Sequence, residues 1–252
     1  MSARRVVVAG TEEWVRVMRR VARRYGSILG SQPPDVAARG LIAATAGQAP
    51  NAYQRGAVLV ATAARAAGAR DVPLTSITPP APAVGIARDV RAAWLAAEHH
   101  PAPDAARAAA VDRVMVQNLA LAWRTGQADQ VTDTQEIIGY RRVADGDACT
   151  VCLALDTGAI VADDTPFEAH PGCQCAMEPV TSDRPPPAPS GQDRFDQMTT
   201  AQQDLLFYGR GGPELAEMVR SGRVSLTDLV RRYPRKPGQT PVVGQRPLRD
   251  FT

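Results

Sequence analysis

Apolar residues recur at helical spacing over residues 14–28, and arginines occupy the other faces of this segment. Positions three and four apart share one side of a helix, so the pattern predicts an amphipathic helix with a basic outer face. Such a face suits a nucleic acid, a membrane surface or an acidic partner, and its simplest interpretation is a solvated surface. The apolar positions are Trp14, Val17, Met18, Val21, Tyr25 and Ile28.

Three more helical regions follow. Residues 31–85 carry Ala-rich helical patches that prolines at 33–34, 50 and 79–82 are expected to break, the last as a linker or turn. A helix over 86–100 should bury Val90 and Trp94, and another starts after Pro103 and should end at Gly126. Short connections favour antiparallel neighbours, so residues 1–130 predict a helical bundle. The apolar stripe of the last helix is Val111, Met115, Leu119 and Ala122.

The pattern changes to short extended runs after residue 130. Strands are predicted over 137–143, 159–162 and 175–180, with turn residues at 145–148 between the first two. The fold class is therefore α+β, with a helical N-terminal region over 1–130 and a small strand-containing module over 131–182.

Prolines mark the boundary to a C-terminal helical region. The run 183–192 is Pro-rich and predicts a semi-rigid linker, and short helices should follow over 193–234. Thr199 and Gln202 have the spacing of a capping box, and Ser225 with Asp228 caps a later helix. Residues 235–252 are rich in Pro, Arg and Gly and predict an extended tail.

Composition narrows the possible classes of protein. Hydrophobic residues make up 44% and charged residues 22%, which is ordinary for a globular chain, and a net charge of +3 does not by itself indicate nucleic-acid binding. The sequence contains no stretch of about 18 apolar residues, so no membrane-spanning helix is predicted. The apolar run over residues 6–9 is too short for a signal peptide, so we expect cytoplasmic maturation with reduced thiols.

All four cysteines fall within one short segment. They form the pattern Cys149-x-x-Cys152, followed by His170-x-x-Cys173-x-Cys175. A Cys-x-x-Cys turn brings two sulfurs within reach of one ion, and the second group can complete a tetrahedral shell. Thiolates with an imidazole favour zinc over magnesium or calcium, so we expect one structural Zn²⁺ per chain.

Five candidate ligands compete for four positions. Cys149 and Cys152 are the strongest candidates. An extended chain would point Cys173 and Cys175 to one face, so His170 is then the residue expected not to bind the metal or to act from the outer shell. Reduced thiols in a small core and a redox pair are the alternatives to a metal site.

Catalytic patterns fit the segment less well. A zinc deaminase has His-x-Glu before its Cys-x-x-Cys, whereas here the order is reversed and reads Glu168-Ala169-His170. Five soft ligands also predict a closed shell with no position for water. A Cys-His nucleophilic pair stays possible in principle, although no orienting Asn or Asp is identifiable. We therefore predict no enzymatic activity.

The cysteine segment resembles a signature of the Mu F-like minor head proteins, or head-morphogenesis proteins, of tailed bacteriophages. That signature has an Asp-x-x-Cys-x-x-Cys turn, a Leu-Asp-Gly-like turn, and a His-Pro-x-Cys-x-Cys stretch running into a Pro-Val strand. Thr157 departs from it, because it separates Asp156 from Gly158. The matching residues are Tyr140–Val143, Asp147–Cys152, Leu155–Gly158, His170–Cys175 and Glu178–Val180.

The resemblance implies a minor capsid component at the portal vertex, active in head assembly or in handling DNA. Its partners would be the portal protein and the major capsid protein, and it would be found in the virion and, during assembly, in the host cytoplasm. Two alternatives are a nucleic-acid-binding zinc module and a zinc-dependent hydrolase or nuclease. The first would use the arginines of 16–24 together with Arg231, Arg232, Arg235 and Lys236.

Overall fold

A computed structural model describes residues 2–74, 85–144, 148–167, 173–182, 185–207 and 212–231. The described chain is mostly helical with one small antiparallel sheet, which confirms the predicted α+β class. The predicted linker at 79–82 and the tail at 235–252 lie outside the described residues. The elements are α1 (Ala3–Leu29), α2 (Pro34–Ala66), α3 (Ile86–Ala97), α4 (Pro103–Asp133), β1 (Gly139–Val143), α5 (Thr150–Leu155), β2 (Ala176–Val180), α6 (Gly191–Asp196), α7 (Thr200–Leu206), α8 (Gly212–Arg220) and α9 (Leu226–Arg231).

Helices α1 to α4 pack together around one apolar core. Trp14 and Met18 of α1 are buried as predicted, but Ile28 is 51% exposed and Leu29 takes the inward position. The four helices contribute large side chains such as Leu41, Trp94 and Trp123 to this core. None of the described helices combines the length and apolar character needed to cross a membrane.

Helices α2 and α4 approach each other through two glycines. A Cβ on Gly126 would overlap the carbonyl oxygen of Tyr53, and a Cβ on Gly56 would overlap that of Trp123. The prediction that Gly126 ends α4 is therefore wrong, because the helix continues through it to Asp133. The absence of a side chain at Gly126 allows α2 and α4 to pack closely and does not end the helix.

The predicted break at Pro50 is also wrong, because α2 runs without interruption from Pro34 to Ala66. Pro50 and Ala46 are both exposed. Proline removes the hydrogen bond to the carbonyl four residues earlier, and at an exposed position water can satisfy that carbonyl. The cost is small enough for packing of the long helix to outweigh it.

Strands β1 and β2 form the two-stranded antiparallel sheet, with Arg142 opposite Met177 and Val143 opposite Ala176. Two of the predicted strands are thus confirmed. The third, over 159–162, is reduced to a single bridge in which Val161 and Tyr140 exchange two backbone hydrogen bonds of 2.8 Å. Gly158 has a φ of +71° just before this run, and a turn follows it, so the chain is extended too briefly to form a ladder.

Helices α5 to α9 enclose a second core. The predicted capping boxes are confirmed at Thr199 with Gln202 and at Ser225 with Asp228. Helix α6 begins inside the predicted linker, where Ser190 and Asp193 form an additional capping box. The buried side chains of this core include Val151, Leu153, Phe195, Phe207, Leu215, Val219, Leu226 and Leu229, together with Cys152, Cys173 and Cys175.

Candidate metal centre

The cysteines are positioned by one short helix and one strand. Cys149 is the N-cap of α5 and Cys152 lies in the first turn of that helix, so the two side chains share one side of it. Cys173 and Cys175 directly precede β2, and alternation along an extended chain turns both toward α5. The local folding of these two elements therefore brings both cysteine pairs to one place.

Three sulfur atoms converge at the boundary between the two cores. The Sγ atoms of Cys152, Cys173 and Cys175 all lie within 4.8 Å of one another, and Cys152 and Cys173 are 3.7 Å apart. Zinc–sulfur bonds of about 2.3 Å in a tetrahedron place neighbouring sulfurs about 3.8 Å apart. The three side chains could therefore hold a metal ion. Cys149 lies outside this group of three, and its thiol interacts with that of Cys152.

All four cysteines are free thiols, because a disulfide requires a sulfur separation of about 2.05 Å. Hydrogen bonds with Cys149, Cys173 and Cys175, together with burial, raise the pKa of Cys152. Hydrogen bonds with Cys152 and Cys175 lower the pKa of Cys173, and the charge of Arg124 acts in the same direction. Of these two thiols, that of Cys173 is therefore the one whose deprotonation the surroundings favour.

Two buried arginines flank the sulfurs. The Arg124 guanidinium, on α4, donates a hydrogen bond to the backbone carbonyl of Cys173. Arg142, on β1, lies 4.0 Å from the Cys173 sulfur and stacks over the ring of Phe167 at 4.0 Å from its centroid. Both arginines are 7% exposed. Burial lowers the pKa of Arg124, and the neighbouring Cys173 and Cys175 sulfurs oppose that shift.

These arginines match the charge of a metal-bound cluster. Burying an arginine without an anion is costly, and in the described part of the chain Arg124 forms no ion pair with a carboxylate. A divalent ion held by four thiolates carries a net charge of −2, which the guanidinium groups of Arg124 and Arg142 can offset. Neutral thiols would leave the charge of Arg124 without this compensation.

Further polar contacts fix the cluster against the helical bundle. Gln127 of α4 accepts a hydrogen bond of 2.7 Å from the Met177 backbone N–H, one turn from Arg124. Asp156, at the end of α5, accepts a hydrogen bond of 3.1 Å from the Ala144 N–H. Burial raises the pKa of Asp156, and the Ala144 N–H and the charge of Arg4 oppose that rise. A buried carboxylate therefore connects the end of α5 to the residue that follows β1.

Arg4 connects the start of α1 to the same region. Its guanidinium lies 3.1 Å from the Glu178 carboxylate on β2 and 3.6 Å from the Asp156 carboxylate. It also donates a hydrogen bond of 3.2 Å to the carbonyl of Pro189. One side chain therefore joins α1, β2, α5 and the segment before α6.

Of the five predicted ligands, the structure brings Cys152, Cys173 and Cys175 together and places Cys149 against Cys152. His170 lies outside the described residues. Sequence reasoning missed Arg124 and Arg142 as neighbours of the cluster. Arg142 lies in a predicted strand next to the first cysteine pair, which was a usable signal, whereas nothing in the local sequence marks Arg124.

No protein-family model, curated protein or solved structure matches this chain. The resemblance to Mu F-like minor head proteins therefore stays a prediction that rests on the motif residues. The convergence of the sulfurs is independent of that resemblance, because it follows from how α5 and β2 pack.

Proposed function

We propose that this protein is a minor head protein of a tailed bacteriophage in which a structural zinc ion locks the junction between two helical cores. It acts as an assembly component without enzymatic activity, contacts the portal protein and the major capsid protein, and is incorporated into the virion from the host cytoplasm. One observation carries the proposal. Three of the four cysteines in the motif that resembles Mu F-like proteins have their sulfur atoms within 4.8 Å of one another.

The chemistry of the donors favours zinc among the possible metals. Thiolates are soft ligands that select zinc over magnesium and calcium, and a shell of four cysteines is typical of structural zinc sites. Cys173 and Cys175 are at most 1% exposed, and Cys152 is 3% exposed. A substrate would have no direct approach to them, which supports a structural centre over a zinc-dependent hydrolase.

The proposed fourth ligand is Cys149, because its thiol contacts that of Cys152. We expect Cys149→Ser to lower zinc affinity strongly and His170→Ala to leave one zinc per chain. Isothermal titration of zinc into each reduced variant would measure the difference. If His170→Ala loses the ion while Cys149→Ser retains it, the shell contains the histidine and three cysteines.

The buried arginines give a second prediction about the same centre. Arg124→Gln should weaken zinc binding by roughly 10- to 100-fold, since outer-shell partners of metal ligands typically have effects of this size. Competition with a chromogenic chelator would measure it. Arg113→Gln, an exposed position on the same helix, is the matched control and should leave zinc affinity unchanged. Equal affinities for the two variants would contradict the charge-balancing role of Arg124.

The assembly role is tested with partners and particles. The full chain, co-expressed with the portal protein of the same genome, should co-purify with it, and mass spectrometry of purified particles should detect the chain in few copies. Zinc-depleted protein and Cys152→Ser should lose portal binding in parallel. If the chain is absent from particles and does not bind the portal protein, the phage assignment is wrong even if zinc is bound.

A further inference from the structure

The positive charge of this protein is concentrated on one helix. Helix α1 contains seven arginines and two glutamates, which gives it a formal charge of +5. The whole chain carries only +3, so the remainder is slightly acidic. This segregation is not expected for arginines that merely keep the surface soluble, because those would be distributed over all the elements.

Four of these arginines form an exposed stripe, named here the α1 stripe: Arg16, Arg20, Arg23 and Arg24. They lie within about 12 Å along the helix axis, at a rise of about 1.5 Å per residue, and they point away from the buried face of Trp14 and Met18. Within the described residues, none of the four forms an ion pair with a carboxylate. Arg16 donates a hydrogen bond of 3.3 Å from Nε to the Glu12 carbonyl, and its exposed terminal nitrogens and those of the other three are available to an external anion.

The stripe adjoins the proposed zinc centre. Arg19, on the side of α1 next to the stripe, donates a hydrogen bond of 3.4 Å to the side-chain oxygen of Gln174, the residue between Cys173 and Cys175. On α4, burial raises the pKa of Asp112, and the charges of the nearby Arg23 and Arg19 oppose that rise. The stripe is therefore close to Gln174, between two of the clustered cysteines, and to the Asp112 carboxylate of α4.

We propose that the α1 stripe binds the phosphate backbone of nucleic acid. Duplex DNA presents one negative charge per about 1.7 Å of its axis, so a helix face of about 12 Å meets several phosphates at once. Guanidinium groups suit phosphate oxygens because their planar fork can donate two parallel hydrogen bonds. The binding is independent of sequence, since a stripe of arginines along a helix axis contacts backbone oxygens and not a pattern of base edges.

An anionic membrane surface is the less favoured partner. Helices that lie on membranes combine a basic face with an exposed apolar face that enters the acyl region. Here the apolar face of α1 is buried against α2 and α4, with Trp14 at 5% and Met18 at 0% exposure. The exposed face of α1 offers charge without a large apolar surface to insert. This inference goes beyond the proposed assembly role and does not depend on it.

The test uses the full zinc-loaded chain, a labelled 20-base-pair DNA duplex and fluorescence anisotropy at several salt concentrations. Four phosphate contacts predict a slope of about −3.6 in log K against log salt, so raising salt from about 50 to about 200 mM should weaken their contribution on the order of 100-fold. The variant R16Q/R20Q/R23Q/R24Q should reduce the slope by about 3 to 4. Its four side chains are exposed, so far-UV circular dichroism should show an unchanged helix content.

A matched control removes four exposed arginines from other elements, as R39Q/R88Q/R91Q/R223Q. Two of these, Arg88 and Arg91, form exposed ion pairs with Asp89 and Asp35. The control should retain most of the slope. Equal loss of DNA affinity in the two variants would overturn the proposal, and so would DNA binding that is absent or insensitive to salt. It would also be overturned if vesicles with 30% phosphatidylserine displaced the DNA at equal accessible charge.

Discussion

In zinc-containing buffer, Cys173→Ser is expected to release the metal and to unfold the helices that enclose the second core. Cys173 is 1% exposed and its sulfur lies 3.7 Å from that of Cys152, so the substitution removes a central ligand. Structural zinc contributes an apparent binding free energy of roughly 10–16 kcal/mol, whereas an unsatisfied buried hydroxyl costs only about 1–3 kcal/mol. Thermal unfolding followed by circular dichroism, with the metal content measured on the same sample, would show the loss.

The same substitution made in metal-free protein separates ligation from packing. After chelation, wild type and Cys173→Ser should differ in free energy of unfolding by no more than about 1–3 kcal/mol. Leu41→Ala, a core truncation in the α1–α4 bundle, is the control and should destabilise the protein equally with and without zinc. A large effect of Cys173→Ser that persists in the chelated protein would mean that the thiol stabilises the core without a metal.

Gly126→Ala is expected to destabilise the helical bundle by about 3 kcal/mol, at the upper end for an overpacked site. The new Cβ would overlap the Tyr53 carbonyl oxygen, which belongs to backbone and cannot rotate away, so α2 and α4 must separate. Separation would also strain the hydrogen bond of 2.5 Å between the Tyr53 hydroxyl and Asp129. Chemical denaturation monitored by tryptophan fluorescence would measure the change, because Trp123 lies at this contact.

Gly47→Ala provides the opposite expectation within α2. This glycine is exposed and has no atom within 4 Å of the added Cβ. Alanine in an open helical position should stabilise the protein by about 0.5–1 kcal/mol, because it restricts the unfolded chain. Similar effects of the two substitutions would contradict the close approach of α2 and α4.

Much of the fold was predictable because helical periodicity and capping are local properties. The apolar stripe of α4 and the capping box of Thr199 are examples. The errors occurred where packing overrides propensity. Gly126 looks like a helix end in sequence, yet it serves the contact with Tyr53, and Pro50 is accommodated because its position faces solvent. Neither outcome can be derived without the partner helix.

The candidate site, like the fold, was predictable from the sequence only in part. Clustering of Cys149 with Cys152, and of Cys173 with Cys175, is visible in the sequence and predicted the convergence of their sulfurs. The flanking cation Arg124 was not predictable, because it lies on α4, 49 residues before the cysteine whose carbonyl it contacts. Contacts across that distance follow from the docking of the sheet on the bundle, and no local pattern reports them.

We propose that sulfur atoms of this segment enclose one zinc ion. Zinc K-edge X-ray absorption of the purified full chain, combined with elemental analysis, would measure the metal content and identify the ligand atoms. We expect one zinc per chain with a shell of four sulfurs at about 2.3 Å. Purified protein in which the second core is folded without bound metal, or a zinc shell dominated by oxygen and nitrogen, would rule this site out.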